Sequence, residues 1–138
     1  MGKVNWGRVI LGGLLAGLVV NLFEWAVGMV LQEEYKAALA ALGKTMDESA
    51  MVFYLVYGFV YGIFAIWLYA AIRPRFGPGP KTAVCAGFAV WFVGYLLPLL
   101  GYAAQGFYPI RLVIIGSVVG LVETVLGTVS GAWLYKEA

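Results

Sequence analysis

Hydrophobic and polar positions divide the chain into four long apolar runs, at approximately residues 9–31, 50–72, 83–104 and 112–135, joined by three short connections. Each run matches or exceeds the ~20 residues that an α-helix needs to cross a ~30 Å hydrocarbon core. Lipid offers a peptide group no hydrogen-bond partner, so runs of this length must be helical. The short alternating segments of an outer-membrane barrel do not occur. The pattern predicts an all-α integral membrane protein, with residues 1–138 forming a single transmembrane domain built as a four-helix bundle.

The connections set the direction of insertion, because Lys and Arg accumulate in cytoplasmic loops. Lys3, Arg8, Arg73, Arg75, Lys81 and Lys136 fall on one side of the spans, and Lys36, Lys44 and Arg111 on the other. Both termini are therefore expected in the cytoplasm, N-in and C-in. The cytoplasmic connection "RPRFGPGPK" (73–81) carries prolines that forbid helix continuation, which predicts a tight, stiff turn. The first external connection, "QEEYKAALAALG" (32–43), places Tyr35, Leu39 and Leu42 at i, i+4 and i+7 before Gly43. That spacing predicts a short amphipathic helix lying along the outer membrane surface, stopped at the glycine. "TMDE" (45–48) has the spacing of a capping box, with Thr45 as the cap that starts the second span. Tyr102, Phe107 and Tyr108 suit an outer aromatic belt, and Trp6, Trp67, Tyr69, Trp133 and Tyr135 an inner one.

Composition narrows the chemistry. The chain is 63% hydrophobic and 12% charged, against ~45–50% and ~25% in soluble domains. A net charge of +2 without a basic run gives no basis for nucleic-acid binding. There is no histidine and a single cysteine, Cys85, so an intrachain disulfide is impossible and the commonest metal and haem ligand is missing. No metal or cofactor is expected. The first apolar run, at ~22 residues, exceeds the ~7–15-residue core of a signal peptide, which predicts a retained first helix.

Two glutamates interrupt the apolar runs: Glu24 in "VVNLFEWAVG" (19–28) and Glu123 in "GLVETVLG" (120–127). A carboxylate within the bilayer costs ~2.5–3.5 kcal/mol on insertion scales, so its presence points to function or to a hydrogen-bonded partner. Counted from the outer ends of the spans, Tyr57 and Glu24 lie about six and seven residues deep, Asn21 and Tyr61 about ten, and Glu123 about twelve, a slab ~10 Å thick. Asn21 and Glu24 share one face of the first span, as Tyr57 and Tyr61 do on the second. These five residues form the candidate polar cluster, either as a protonatable site for cation or proton traffic or as neutral glue between helices. Arg111 lies ~18 Å of helix from Glu123, so no intramembrane cation is available to pair with the carboxyls. An acid dyad would require the two carboxyls to meet. Their depths differ by ~7 Å along the axis, which argues against an intramembrane enzyme.

Small residues recur at close-packing spacings: Gly13 with Gly17, Gly58 with Gly62, Gly116 with Gly120, and Gly127 with Gly131. Such pairs let helix backbones approach closely in lipid. They are read as packing faces within the bundle, with a surplus face, most plausibly on the fourth span, left for another copy or a partner. Pro98 predicts a kink near the outer end of the third span, with the Gly94 carbonyl freed.

The opening "NWGRVILGGLLAGLVVNLFEW", the charged outer loop after it and the closing "GAWLYK" resemble a loose group of small four-helix bacterial membrane proteins of unassigned function. The resemblance covers the whole chain in layout and the first helix in residues; it implies the bacterial inner (cytoplasmic) membrane and transfers no activity. Small multidrug resistance transporters are similar in having four helices and an embedded Glu in the first. Here Glu24 falls nearer the outer end, an extended loop follows, the chain is longer, and a second Glu lies in the last span. The expectation is a small, non-enzymatic multi-pass subunit packing through glycine faces into a homo-oligomer or a larger membrane complex. The alternative is a small proton- or cation-coupled transporter or channel using Glu24 and Glu123.

Overall fold

A computed structural model describes residues 2–138, which are helical with no strand among them. The helices are α1 (Trp6–Val30), α2 (Gln32–Ala41), α3 (Glu48–Phe76), α4 (Pro80–Trp91), α5 (Leu97–Ala104) and α6 (Ile110–Leu134), with a π-helical turn at Phe92–Leu96 joining α4 to α5. Trp6–Val30, Glu48–Phe76, Pro80–Ala104 and Ile110–Leu134 are each long and apolar enough to cross a membrane. The chain is thus a multi-pass membrane protein.

Local chemistry explains most of the boundaries. Asn5 caps α1, its side chain accepting the Arg8 N–H at 3.2 Å. Leu31 alone separates α1 from α2. Gly43, at φ 68°, stops α2: its N–H bonds Ala40 O, and the Lys44 N–H bonds Leu39 O. This crossed pair satisfies the last carbonyls of a helix and needs the left-handed residue that glycine supplies. The expected Thr45 cap gives way to Asp47, whose carboxylate accepts the Ser49 N–H at 2.9 Å. That bond holds the Asp47 carboxyl below the usual carboxylate range, and a stronger capper two residues closer to the first turn outcompetes the threonine.

The 73–81 connection also differs from expectation. The helix runs through Pro74 to Phe76, and the turn is only Gly77–Gly79 before α4 starts at Pro80. Pro74 sits in the last turn of α3, where one lost backbone bond is tolerated, and Pro80 occupies the first helical position, where none is needed. Pro98 likewise does not simply kink its span. The preceding turn widens into the π-helical segment, and the Leu97 N–H bonds Phe92 O. A widened turn accommodates a carbonyl that the proline cannot serve.

Around the bundle the order is α3, α1, α6, α4, with α3 and α4 closing the ring least tightly. The core at the end holding both termini is Val9, Ala16, Ile66, Tyr69, Ala70, Ala83, Ala86, Ala132 and Tyr135. Tyr69 and Tyr135 are thus buried there, edge to face at 5.9 Å, while Trp6 and Trp133 are exposed. At the opposite end α2 folds back over the start of α6, burying Leu31 and Ala38 against Leu112. Arg111 reaches α2 rather than a membrane carboxyl, its Nε and Nη2 donating to the two Glu34 oxygens at 3.0 and 3.4 Å. Both partners are well exposed, so a double-mutant cycle with Glu34→Gln and Arg111→Gln should return a coupling of only ~0.2–1 kcal/mol, read by denaturant titration. A larger value would mean that the pair, and not the apolar contact beneath it, holds α2 down.

Candidate functional site: a Glu–Tyr–Glu centre

The two antiparallel helices that carry the glutamates are in very close contact. Gly12 meets the Gly131 backbone and Gly127 meets Ala16 O, where an added Cβ would lie 2.9 Å from that oxygen. This register sets Val20 level with Glu123 and puts Glu24 one turn, ~6 Å, nearer the α2 end. The offset does not keep the carboxyls apart. Side chains lean toward the N-terminus of their own helix. Because α1 and α6 run in opposite directions, Glu24 leans away from the α2 end and Glu123 leans toward it, closing the gap.

Between them stands Tyr95, which the sequence reading passed over. Its hydroxyl lies 3.0 Å from Glu24 Oε1 and makes a short hydrogen bond to Glu123 Oε1. The π-helical turn carries this residue, and Gly120 makes room for it: a Cβ at Gly120 would fall 2.8 Å from Tyr95 Cγ. Depth alone was the available signal. Tyr95 lies nine residues below the end of α5 at Ala104, ~14 Å of helix, between the depths of the two glutamates.

A second layer supports the first. The Tyr61 ring packs edge-on against Tyr95 at 5.6 Å, and its hydroxyl shares a 3.2 Å hydrogen bond with Thr124 Oγ1. Thr128 Oγ1 donates to Thr124 O at 2.6 Å. Glu123, Thr124 and Thr128 are all buried to within 1% of full exclusion from solvent, so this polar column stops inside the bundle, above the sealed core at the terminal end.

Of the five expected cluster members, Glu24, Tyr61 and Glu123 come together around Tyr95. Asn21 goes elsewhere: its Nδ2 donates to Leu55 O at 3.2 Å, clipping α1 to α3. Tyr57 stacks on Tyr61 at 6.1 Å and on Phe53 at 6.1 Å, exposed at the edge of the α3–α4 seam. The eight packing glycines all face helices of the same chain. Gly13 and Gly17 meet Ile63 and Phe59, Gly62 meets Gly13 and Gly17, and Gly58 meets Asn21. Gly127 and Gly131 meet α1, while Gly116 and Gly120 meet Leu99 and Tyr95.

Proton counting defines what the centre can do. A phenol has one hydrogen to donate and an ionised carboxylate has none. Tyr95 therefore satisfies one of the two carboxyl oxygens it touches, and the other contact needs a proton on a carboxyl. Glu123 Oε2 is buried without any hydrogen-bond partner. One proton held by the pair supplies one of the two missing donors. No Lys or Arg forms an ion pair with either one among the described residues.

The centre is also asymmetric. Glu123 is fully buried, whereas Glu24 is exposed. Glu24 follows the buried line Gly13, Gly17 and Val20 of α1 and meets Tyr95 with a carboxyl that is itself exposed. Above Gly58, Met51 to Tyr57 are exposed on every face of α3, while the Asn21–Leu55 bond keeps its backbone on α1. Above the centre, Tyr35 of α2 is half-buried. Burial, and then the nearby Glu24 charge, push its phenol above the ordinary tyrosine range.

No family model, characterised protein or solved structure matches this chain.

Proposed function

We propose that the protein is a small proton- or cation-coupled membrane carrier whose working group is the Glu24–Tyr95–Glu123 centre. The observation that carries the reading is the joining of two carboxyls by one phenol within the membrane-spanning part, one carboxyl sealed and the other exposed. Such a site takes up and gives back a unit of positive charge with little rearrangement, because either a proton or a small cation completes the same set of oxygens. The positive-charge asymmetry of the connections supports both termini in the cytoplasm, which puts α2 along the outer surface and Glu24 nearer to that side than Glu123. The bacterial inner membrane is the setting we infer. Four helices enclose little space, so a complete pathway is expected to use more than one copy.

The test is infrared titration of the protonated-carboxyl stretch in nanodiscs, with native mass in the same preparation. Wild type should show a carboxyl signal that titrates and that Glu24→Gln and Glu123→Gln each remove. In liposomes Glu24→Gln should abolish pH-driven cation flux. A carboxyl signal indifferent to pH would leave the glutamates as helix glue.

A second reading rests on a different observation. The glycine faces are used within the chain, but the side chains of Met51–Tyr57 are exposed all round the helix. In an accessory subunit of a larger complex, the side chains of that end of α3 would be the contact, the Asn21–Leu55 bond holding its backbone to α1. Co-purification with other chains, lost on Phe53→Ser, would favour it.

A further inference from the structure

We propose that Arg73 is the seat of a phosphate group, at the end of the bundle that holds both termini. The inference is independent of the carrier reading, since Arg73 lies twelve residues along α3 from Tyr61, ~18 Å of helix. The Arg73 side chain is only 19% exposed, and its Nε and Nη1 are buried without a hydrogen-bond partner. One acid is in range among the described residues, Glu137, whose Oε1 lies 3.9 Å from Nε. That separation makes an ion pair but is too long for a hydrogen bond. Arg73 Cζ also lies over the Tyr135 ring, 5.4 Å from its centroid, and the ring attracts the charge. The Tyr135 hydroxyl serves the Asn5 N–H instead, at 3.3 Å. The guanidinium is thus held in place with N–H groups that nothing in the chain accepts. An unpaired buried donor is costly, more so when charged, and an acceptor from outside the chain removes that cost.

The surroundings select the acceptor. A guanidinium presents a fixed planar fork that matches the oxygens of a phosphate two at a time. Glu137 marks where such an anion would lie, and it is weakly held. It belongs to the tail beyond Leu134, where no backbone hydrogen bond fixes Lys136 to Ala138 among the described residues. Its side chain is 34% exposed, so an incoming anion can displace it without breaking a helix. Gly2 packs against the Glu137 carboxyl, and the exposed Lys3 and Lys136 adjoin that contact in the chain, adding two positive charges. The level in the bilayer agrees. Trp6, Phe76 and Trp133 are exposed at this end, and exposed aromatic rings of this kind sit at the height of lipid headgroups. The recognised chemistry is a phosphate of net negative charge, carried by an anionic lipid headgroup or free in solution.

Native mass spectrometry of the protein in mild detergent tests this with two probes, dioctanoyl phosphatidylglycerol and inorganic phosphate, each titrated separately. At least one should bind saturably. Saturable binding of the lipid alone assigns the site to a headgroup, and binding of both assigns it to a phosphate that needs no lipid. Arg73→Gln should weaken the bound probe ~10-fold or more, the value of a lost charge-assisted bond. Arg75→Gln, which neutralises an exposed arginine two residues away, should weaken it far less. Glu137→Gln, a change in the exposed tail, should tighten binding roughly fivefold by removing a like charge beside the phosphate. Circular dichroism and size exclusion verify that the Arg73 variant folds, and the tail variant tests the site without touching the bundle. Three results would each overturn the proposal: no saturable binding of either probe, equal losses in Arg73→Gln and Arg75→Gln, or binding to Glu137→Gln no tighter than to wild type.

Discussion

Tyr95→Phe is expected to leave a folded bundle with a disabled centre. The substitution keeps the ring that packs on Tyr61 and against Gly120 and deletes one oxygen, the one that both carboxyls share. Nothing else among the described residues bonds Glu123 Oε1, and Oε2 already lacks a partner. Leaving a buried polar group unpaired costs ~1–3 kcal/mol, more where charge is involved. At ~1.4 kcal/mol per unit, the midpoint of the carboxyl titration should move by about one to two pH units. The carboxyl stretch should also shift in frequency as its hydrogen bond is lost. Flux tied to the centre should fall at least ~10-fold for the same energy, while thermal stability changes far less than in the variant considered next. An unchanged titration in Tyr95→Phe would mean that the carboxyls are served by each other and that the phenol is only a neighbour. Gly120→Ala gives an independent approach to the same group, since its added methyl must push the Tyr95 ring aside.

Gly62→Val should be the most damaging single change to the fold. A Cβ at Gly62 would lie 2.7 Å from Gly17 Cα and would also run into Gly17 N and Gly13 O. These are backbone atoms of α1, so no side-chain rotamer relieves the clash and the helices must separate. Forced overpacking costs ~1–3 kcal/mol where side chains can shift; with backbone on both sides, a loss of about 3 kcal/mol or more is expected. Chemical denaturation in mixed micelles measures it. Gly28→Ala is the control, because nothing lies within 4 Å of a Cβ there, and it should be neutral or mildly stabilising through helix propensity. If both variants cost the same, close α1–α3 contact is not what holds the bundle together.

The physical origin of the centre shows why part of it was legible and part was not. Four spans, their rough limits and the stop at Gly43 follow from length, polarity and one glycine. Lipid makes helix obligatory, so hydrophobicity alone settles the secondary structure. The glutamates were legible for the opposite reason: a costly group in an apolar run must be accounted for. Their depth difference, counted along straight axes, argued that they could not meet. Side chains lean toward the N-terminus of their own helix, which in an antiparallel pair acts in opposite directions and brings the two carboxyls onto one phenol. Tyr95 was passed over because a tyrosine in a membrane span is unremarkable by composition. Its importance depends on the π-helical turn that aims it and on Gly120 across the interface. Asn21 shows the reverse error. Sharing a face with Glu24 suggested a shared site, yet Gly58 opposite leaves room for it to bond the α3 backbone.

By itself the sequence determined the class, the number of spans, the polar residues that need explaining and the glycines that permit close approach. Each of these depends on what one segment must do in lipid, and a segment's own composition records that. The tertiary structure decided which polar groups meet, which glycines serve which interface, and which carboxyl is sealed. Those outcomes depend on register, helix direction and the packing order of the helices, relations between segments that no single stretch of residues encodes.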